Sequence, residues 1–313
     1  MGSNQLLIRK AGLYTSIQDL GRKGLMNKGV ARSGAMDVQS ALLANWLVGN
    51  SPDDALLEIT YQGLHVQFEC STAIAISGGD LGAKLNDKSV RRNQTVIVRP
   101  GDELRFEQRK SGFRTYLAIA MGIPQQAIMG SRSTHSMIDL GIEKIKDGTA
   151  LKLKPPGKHV VKRSVPQELR PVFAQHFTAR ILPGPEFALF PKAYIDQLTN
   201  QSWGISADSN RMGYRLKGDI GSGQLPEGIL SSGVIPGTIQ VTSSGQPIIL
   251  MNDGPTTGGY ARLGNIITPD LNYIAQLGPG DSLRFAWISF DDADRILKNY
   301  SSLLNELIGE GLN

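Results

Sequence analysis

The sequence predicts a mainly β protein that consists of two copies of one β-rich unit. Three observations predict this fold class. Glycine accounts for 36 of the 313 residues and stands mostly in turn contexts, as expected where tight turns join short strands. Short apolar runs bounded by Gly, Pro, Asn or Asp recur along the chain, and a Pro-Gly-Asp motif before such a run occurs twice. The length and the 40% hydrophobic content allow two globular domains.

The spacing of apolar residues predicts short strands and a few helices. A 3.6-residue apolar period predicts a helix over 38–47, which follows Asp37, and a second helix over 293–308. Shorter helices are predicted at 166–176 and 192–199. Strands are predicted where apolar residues alternate or run together, at 6–9, 63–69, 73–77, 95–98, 104–107, 116–120, 239–242, 247–251 and 282–287.

An internal repeat relates the two halves of the chain. Residues 100–106, Pro-Gly-Asp-Glu-Leu-Arg-Phe, return as Pro-Gly-Asp-Ser-Leu-Arg-Phe at 279–285. Residues 57–63 match 239–245 at nearly the same separation, and a third, weaker match has the same order. A common turn before a strand would explain the first match alone, whereas three matches in one order indicate a duplication.

The boundary between the two copies is predicted in the stretch 153–171, because this stretch is polar and contains several prolines. The predicted domains are therefore residues 1–165 and residues 166–313.

Charge and cysteine content limit the partners and the compartment. The net charge of +5 weakly favours anionic ligands. Basic pairs such as Arg91-Arg92 are interpreted as solvated surface, and no aromatic residues interleave with them, which argues against nucleic acid binding. Cys70 is the single cysteine, which favours a reducing compartment. Since no apolar run has the length of a membrane span, we expect a cytoplasmic protein without membrane partners.

Several common catalytic motifs are absent from the sequence. It contains no phosphate-binding Gly-x-x-x-x-Gly-Lys-Ser/Thr loop, no dinucleotide-binding Gly-x-Gly-x-x-Gly turn and no Gly-x-Ser-x-Gly elbow. The four histidines are widely separated and have no cysteine partners, so no metal site is predicted. No Met-Lys-Met stretch is present for covalent attachment of biotin. Any biotin would therefore have to come from another chain.

Polar, glycine-rich stretches remain as candidate sites. Residues 29–37 lie directly before the first predicted helix, where unpaired N–H groups could hold a carboxylate or phosphate; alternatively, Ser33 or Asp37 simply caps that helix. Residues 252–260 form a longer stretch than a hairpin needs, and their glycines indicate a backbone close to a ligand. A structural turn is the alternative interpretation. Similar stretches occur at 15–22, 77–80, 130–134 and 206–215.

Together these stretches resemble the biotin-dependent carboxyltransferase family, which includes allophanate hydrolase subunit 2-like proteins, KipA-like proteins and the C-type subunit of bacterial 5-oxoprolinase. The resemblance rests on seven motifs in the family's order: Thr-Ser-Ile-Gln-Asp-Leu-Gly-Arg at 15–22, Ser-Gly-Ala-Met-Asp at 33–37, Leu-Glu-Ile-Thr at 57–60, Gly-Ser-Arg-Ser-Thr at 130–134, Ser-Asn-Arg-Met-Gly-Tyr-Arg-Leu at 209–216, Gly-Thr-Ile-Gln-Val at 237–241 and Asp-Gly-Pro-Thr-Thr-Gly-Gly-Tyr at 253–260. It implies two tandem cyclophilin-like β-barrel domains with a few short helices.

The resemblance also implies a heteromeric enzyme. A 5-oxoprolinase couples ATP hydrolysis to opening of the 5-oxoproline lactam, giving L-glutamate, and requires a KipI-like B-type subunit and a LamB/YcsF-type partner, the A-type subunit. ATP would then be a co-substrate of the complex, not bound by this chain alone. A carboxyltransferase that moves a carboxyl group from carboxybiotin to urea is the first alternative. A KipA-like regulator that binds a KipI-like kinase inhibitor is the second. The absence of biotin carboxylase and biotinyl segments favours the 5-oxoprolinase role.

The predicted pocket lies on the second barrel, with residues 33–37 at its edge, because the second copy carries the richer polar loops. The predicted catalytic residues are Asp253 as general base or charge partner, Thr256 and Thr257 for positioning of the amide, and Asp208. The predicted substrate-binding residues are Arg211, whose guanidinium can pair with a carboxylate in a bidentate manner, and Tyr260, Ser33, Asp37 and Gln240.

Overall fold

The computed structural model describes residues 4–140, 144–155, 162–219, 225–226 and 228–309. Contacts divide the chain into unit 1, which comprises Met1–Arg22, Ser33–Phe173 and Leu307–Asn313, and unit 2, which comprises Lys23–Arg32 and Ala174–Glu306. The domain limits drawn from the sequence stay a prediction. Part of the predicted boundary stretch, 156–161 with His159, lies outside the described residues.

Unit 1 contains two antiparallel sheets that share one apolar core. The first sheet has the order β11-β1-β4-β9-β6-β7 and the second has the order β2-β3-β10-β5-β8. Alternation places Leu64, Val66 and Phe68 of one strand in the core, where they meet Ile76 and Leu117 of the other sheet. The strands are β1 (Gln5–Ala11), β2 (Tyr14–Gln18), β3 (Leu56–Thr60), β4 (Leu64–Phe68), β5 (Thr72–Asp80), β6 (Lys84–Leu85), β7 (Lys88–Ser89), β8 (Thr95–Val98), β9 (Glu103–Arg105), β10 (Ser111–Ile119) and β11 (Ala150–Lys152).

The predicted first helix is confirmed as α1 (Val38–Leu47). The Asp37 carboxylate caps it by accepting from Ser40 N at 2.9 Å and from Ser40 Oγ at 2.6 Å. Gly49 follows the helix in the left-handed conformation, with φ 74°. Most of α1 is buried, and Ala41, Ala44 and Leu47 belong to an apolar cluster that also includes residues of β5 and β10.

Unit 2 contains a closed barrel of seven strands in the order β12-β19-β16-β17-β14-β13-β20. A parallel pairing of β12 with β20 closes it, and a separate pair is formed by β15 and β18. The strands are β12 (His176–Pro183), β13 (Trp203–Ile205), β14 (Gly213–Lys217), β15 (Ser232–Gly233), β16 (Thr238–Val241), β17 (Pro247–Leu250), β18 (Thr257–Gly258), β19 (Ala261–Ile266) and β20 (Ser282–Trp287).

Three helices accompany these strands: α2 (Lys192–Asn200), α3 (Thr268–Ile274) and α4 (Phe290–Ile308). The expectations for 192–199 and for the helix near the C-terminus are thereby confirmed. In the described part of the chain, no helix combines the length and the apolar character needed to cross a membrane.

The prediction of a mainly β fold with a few helices is confirmed, and the strand predictions agree with strands of the structure to within a few residues. The helix predicted at 166–176 is wrong. Only a 3-10 turn, Gln167–Leu169, forms there. Pro166 and Pro171 flank this turn, and a proline cannot donate a helical hydrogen bond. From His176 the chain already pairs as β12.

One part of the sequence repeat has the same structure in both units. Gly101 and Gly280 have φ values of 90° and 94°, a conformation that favours glycine. In each turn the aspartate accepts a backbone N–H three residues earlier: Asp102 from Arg99 and Asp281 from Gly278, both at 2.8 Å. The second match diverges, because β16 pairs directly with β17, whereas β3 and β4 belong to different sheets.

An ion pair between Glu186 and Arg262 gives a test of the barrel. Arg262 Nε lies 2.8 Å from Glu186 Oε2, and Arg262 Nη2 lies 2.6 Å from Oε1. These hydrogen bonds lower the pKa of Glu186. A lowered folded-state pKa adds stability that is present above the unfolded pKa of about 4.3 and is lost as pH falls through the folded value. We expect Glu186→Gln to lower the unfolding free energy by about 1–2 kcal/mol at pH 7.

The measurement is urea unfolding of both proteins from pH 7 down to about pH 3. The difference between them should shrink as the solution becomes acidic. Asp196→Asn is the matched control, since the Lys192–Asp196 pair is exposed and exposed pairs contribute little. A loss in Glu186→Gln that is independent of pH would contradict the assigned ion pair.

Candidate functional site

In unit 2, Arg211 and Asp253 form a buried bidentate ion pair. Arg211 Nε lies 2.9 Å from Asp253 Oδ2, and Arg211 Nη2 lies 3.1 Å from Asp253 Oδ1. Asp253 N also donates to Arg211 O at 2.9 Å. The two residues are 2% and 1% exposed. The sequence assigned Arg211 to a substrate carboxylate and Asp253 to a base, but in this structure each group binds the other. The pair thus connects the stretch before β14 to the loop 252–260.

Two of the three glycines of the loop 252–260, Gly254 and Gly258, lie very close to neighbouring protein atoms. A Cβ on Gly254 would lie 2.8 Å from Met212 O and 2.9 Å from Met251 O, and a Cβ on Gly258 would lie 2.4 Å from Gln240 Nε2. Since real Cβ atoms do not approach so closely, neither position accepts a side chain without displacement. The glycines of this stretch suggested a backbone close to a ligand. At Gly254 and Gly258, the atoms that lie close to the backbone belong to the protein itself.

The remaining predicted residues of unit 2 differ in exposure. Gln240 is buried, and its Nε2 donates to Tyr260 O at 3.2 Å. Thr256 is half-buried and Thr257 is exposed, while Tyr260 is 43% exposed. Asp208 is exposed and accepts from Ser206 Oγ at 3.3 Å. The structure thus brings Arg211, Gln240 and the loop 252–260 together, and Thr257 and Tyr260 present accessible hydroxyl-bearing side chains.

Ser33 and Asp37 belong to unit 1. Asp37 caps α1, as the capping alternative proposed. Ser33 is fully buried and adopts a left-handed backbone conformation with φ 53°, which is uncommon for a residue with a Cβ. Next to it, Gly34 packs so closely on the chain that a Cβ there would lie 2.8 Å from Gly21 N. This contact joins the motif 33–37 to the motif 15–22.

The carboxylate of Asp19 joins two further motifs of unit 1. Its Oδ1 accepts from Gly21 N at 2.8 Å, from Ser131 Oγ at 2.7 Å and from Ser133 Oγ at 2.6 Å. The buried Arg22 donates from Nη2 to Ser133 O at 2.8 Å. The motifs 15–22 and 130–134 therefore form one hydrogen-bonded cluster, although Asp19 and Ser131 are 112 residues apart in the chain.

A second buried carboxylate, that of Glu58, connects β3 to the start of α1. Glu58 Oε2 accepts from Met36 N at 2.8 Å and from the Tyr116 hydroxyl at 2.9 Å. The same hydroxyl accepts from Asp37 N at 2.7 Å. Burial, together with the negative charges of Glu58 and Asp37, raises the pKa of Tyr116 well above its usual value. Tyr116 is therefore a neutral phenol that can donate to Glu58.

Some buried polar atoms of the unit 1 motifs have no hydrogen-bond partner within the described residues. They include Gln18 Oε1, Ser33 Oγ and Thr134 Oγ1. Gln18 and Thr134 are neighbours, because Gln18 Nε2 donates to Thr134 O at 3.1 Å. Leaving a buried polar atom unpaired costs about 1–3 kcal/mol. As to metals, the described residues hold no group of three or more His, Cys, Asp or Glu side chains suited to bind an ion.

The sequence predicted no individual role for several of these buried polar residues. Asp19, Arg22, Glu58 and Ser133 stand inside motifs that the sequence singled out, so the signal was present in the motif and not in the individual side chain. Tyr116 had no such signal, because a tyrosine in an apolar strand resembles an ordinary core residue.

The ion pair of unit 2 leads to a stability prediction. Replacing Asp253 by Asn leaves the charge of Arg211 buried without its counter-ion, so we expect Asp253→Asn to lower the unfolding free energy by about 3 kcal/mol. The double variant Arg211→Met with Asp253→Leu removes both charges and should recover most of that loss. Urea unfolding measures both. Asp208→Asn, at an exposed carboxylate, is the control and should stay near the wild type. Full stability of Asp253→Asn would contradict the pairing.

Comparisons with known proteins agree with the motifs. A sequence model described as carboxyltransferase domain, subdomain A and B, matches residues 28–287. The chain is 38% identical over 291 residues to the C-type subunit of 5-oxoprolinase from Escherichia coli (strain K12), over 92% of this chain and 93% of that protein. It is 31% identical over 296 residues to the corresponding 5-oxoprolinase protein of Haemophilus influenzae, over 93% of this chain and 94% of that protein.

Solved structures give the same result. The structure superposes on Kluyveromyces lactis urea carboxylase with a TM-score of 0.91 at 31% identity, over 99% of this chain. The chain spans 30% of the length of that protein. Sequence and structure thus confirm the resemblance stated from the motifs, and the chain belongs to the carboxyltransferase domain family of subdomains A and B.

Proposed function

We propose that the chain is the C-type subunit of a 5-oxoprolinase, which opens the lactam of 5-oxoproline to L-glutamate at the expense of ATP. The observation that carries the proposal is the 38% identity to the 5-oxoprolinase protein of E. coli, which extends over nearly all of both chains. In this proposal the other components are a KipI-like B-type subunit and a LamB/YcsF-type partner, the A-type subunit. ATP is a co-substrate of the complex.

The chemistry of the substrate explains the need for ATP. Hydrolysis of the five-membered amide consumes one water and leaves a carboxylate and an amine, and hydrolysis of ATP consumes a second water and gives ADP and phosphate. An amide is a poor electrophile, so a phosphoryl group on the lactam oxygen would activate the carbonyl carbon for attack by water. Positioning of that water and of the ring is the task for which a protein supplies hydroxyl and carboxylate groups.

In this chain we assign substrate contact to the loop 252–260. The exposed side chains of Thr257 and Tyr260 can reach a ligand without rearrangement, and Thr256 lies beside them. Arg211 and Asp253 act as positioning residues, because their mutual ion pair connects the stretch before β14 to the loop 252–260. Direct roles for Arg211 as carboxylate receptor and Asp253 as base would require this pair to open on binding. Asp208 and Gln240 stay predictions, as does Ser33, whose hydroxyl belongs to unit 1.

Reconstitution tests the proposed function. We expect the purified chain to show no ATPase and no 5-oxoprolinase activity, because its sequence has neither the phosphate-binding loop nor the dinucleotide-binding turn. Mixing it with the B-like and A-like partners should produce ATP hydrolysis that depends on 5-oxoproline, measured as phosphate and glutamate release. Complex formation with the B-like partner should need no ATP in size-exclusion chromatography. Turnover by the isolated chain would contradict the proposal that activity requires the B-like and A-like partners.

The urea carboxylase likeness provides the second candidate function. It is favoured by the TM-score of 0.91 over 99% of this chain, and it predicts carboxyl transfer to urea when carboxybiotin is supplied on a separate carrier. That activity, in place of glutamate release, would establish the carboxyltransferase. Binding of the B-like partner without any turnover in either assay would support the KipA-like regulatory role.

The loop assignment predicts a loss of turnover without a loss of stability. We expect Thr257→Val combined with Tyr260→Phe to lower kcat/KM of the reconstituted complex by about 10-fold to 100-fold, because two hydrogen-bonding groups are removed from the loop. Thr178→Val, at an exposed threonine of β12, is the matched control and should keep full activity. Unfolding curves of all variants should coincide with the wild type. Wild-type turnover in the double variant would show that substrate is bound elsewhere.

A further inference from the structure

Unit 1 contains a cavity of about 710 Å³ that involves none of the residues used in the proposed function. It is lined by the end of β5, the segment after β7, Lys110 directly before β10 and the turn that follows Val165. Its volume is in the range of small-molecule sites. Four basic side chains line it, from Arg91, Arg92, Lys110 and Arg170, and a single acidic one, from Asp80.

The sequence interpretation of Arg91-Arg92 as solvated surface holds for Arg91 alone. The Arg92 side chain is only 26% exposed, and it donates from Nη1 to Gly78 O. Its Nη2 lies 3.8 Å from Asp80 Oδ2. Burial lowers the pKa of Arg92, an effect that Asp80 opposes and that the positive charge of Arg170 reinforces. The protein thus keeps like charges close together in a partly desolvated place, an arrangement that an anion would stabilise.

Two of the basic side chains are held in position by the backbone. Arg92 is anchored by Gly78 O, and Arg170 Nε donates to Val165 O at 2.9 Å. Each guanidinium still carries further N–H donors for a ligand. Arg91 and Lys110 are exposed, and their long side chains have several rotatable bonds. Orientation by backbone carbonyls reduces the entropy that a guanidinium loses when it binds an oxyanion.

The number of charges indicates the class of ligand. One carboxylate would neutralise one cation, whereas four cations against one acid suit an anion of charge two or more. Guanidinium groups pair with phosphate oxygens in bidentate fashion. The amide side chains of Gln94 and Gln167 also line the cavity and can hydrogen-bond a polar body. Its lining residues include no aromatic side chain, which disfavours single-stranded nucleic acid, since such strands bind by base stacking.

We propose that this cavity of unit 1 binds a small molecule that carries two or more phosphate groups. The shared chemistry fits both a nucleoside triphosphate and a free polyphosphate. Binding of a nucleoside triphosphate here would replace the expectation that ATP is not bound by this chain alone. The site is independent of the reaction proposed above: it concerns binding by this chain alone, and it holds whether or not the loop of unit 2 meets the substrate.

Calorimetric titration of the full chain, without its partners, tests the proposal. The probes are inorganic tripolyphosphate and ATP, each without added metal, in a buffer of low ionic strength. We expect saturable binding at one site per chain that weakens as salt is added. Arg91→Glu with Arg170→Glu should weaken it at least 10-fold, because two attractive contacts become repulsive. Lys152→Glu with Lys154→Glu changes the net charge of unit 1 equally at exposed positions outside the cavity, and should change the affinity less than 2-fold.

The outcomes separate the sources of the ligand. Tighter binding of ATP than of tripolyphosphate identifies a nucleotide site, and equal binding identifies a polyphosphate site. Arg91→Glu with Lys110→Glu, both at exposed residues, serves as a second cavity variant if the first pair unfolds. An absence of saturable binding, or an equal loss in the Lys152/Lys154 control, overturns the proposal. Because no turnover is measured, failure here is distinct from failure of the 5-oxoprolinase assignment.

Discussion

A carboxylate that folding removes from water must be met by donors, and this constraint organises the loops of both units. Burying an unpaired charge costs several kcal/mol, a large share of the roughly 5–15 kcal/mol by which a typical domain is stable, so each such group restricts the position of its neighbours. Asp19 accepts hydrogen bonds from a backbone N–H and from two serine hydroxyls. Glu58 accepts hydrogen bonds from a backbone N–H and from a tyrosine hydroxyl. Asp253 forms a bidentate ion pair with an arginine. Loops far apart in sequence meet at these atoms.

The same constraint separates positioning residues from residues that can meet a ligand. Asp19, Glu58 and Asp253 hold loops in place because their oxygens are occupied by protein donors, so none of them is immediately available as a base. The exposed hydroxyls of the loop 252–260 rest on that support. A rigid scaffold beneath accessible polar groups is the arrangement by which loops carry function. The motifs therefore supply buried structural contacts as well as the exposed hydroxyl groups of the loop 252–260.

The basic cavity of unit 1 has the opposite character. Four of its five charged side chains are basic, and the one carboxylate, that of Asp80, lies 3.8 Å from Arg92 Nη2. The carboxylate of Asp19 accepts several hydrogen bonds from the protein. The arginine and lysine side chains of this cavity, in contrast, have more N–H donors than the protein provides acceptors for them. The Asp19 cluster is therefore structural, because protein donors already bind its carboxylate. The basic cavity of the same unit is a candidate ligand site, because its cations outnumber its single carboxylate.

The sequence by itself determined the fold class, the first helix, the paired Pro-Gly-Asp turns and the family, whereas it left the Asp37 cap as one of two alternatives. These depend on apolar period, on capping and on left-handed glycines, all of which act over a few residues. The helix expected at 166–176 does not form, and the reason is also local: Pro171 stands inside this segment and cannot donate a helical hydrogen bond.

Only the tertiary structure decided the pairing of side chains. Arg211 and Asp253 stand 42 residues apart in the chain, and Asp19 and Ser133 stand 114 apart. No local period records which distant donor a buried carboxylate will meet, so Arg211 and Asp253 looked like two separate functional groups. Nor did the pair Arg91-Arg92 reveal that both side chains would line one cavity together with Arg170. Strand pairing and barrel closure bring such groups together, and the cost of desolvation then selects their partners.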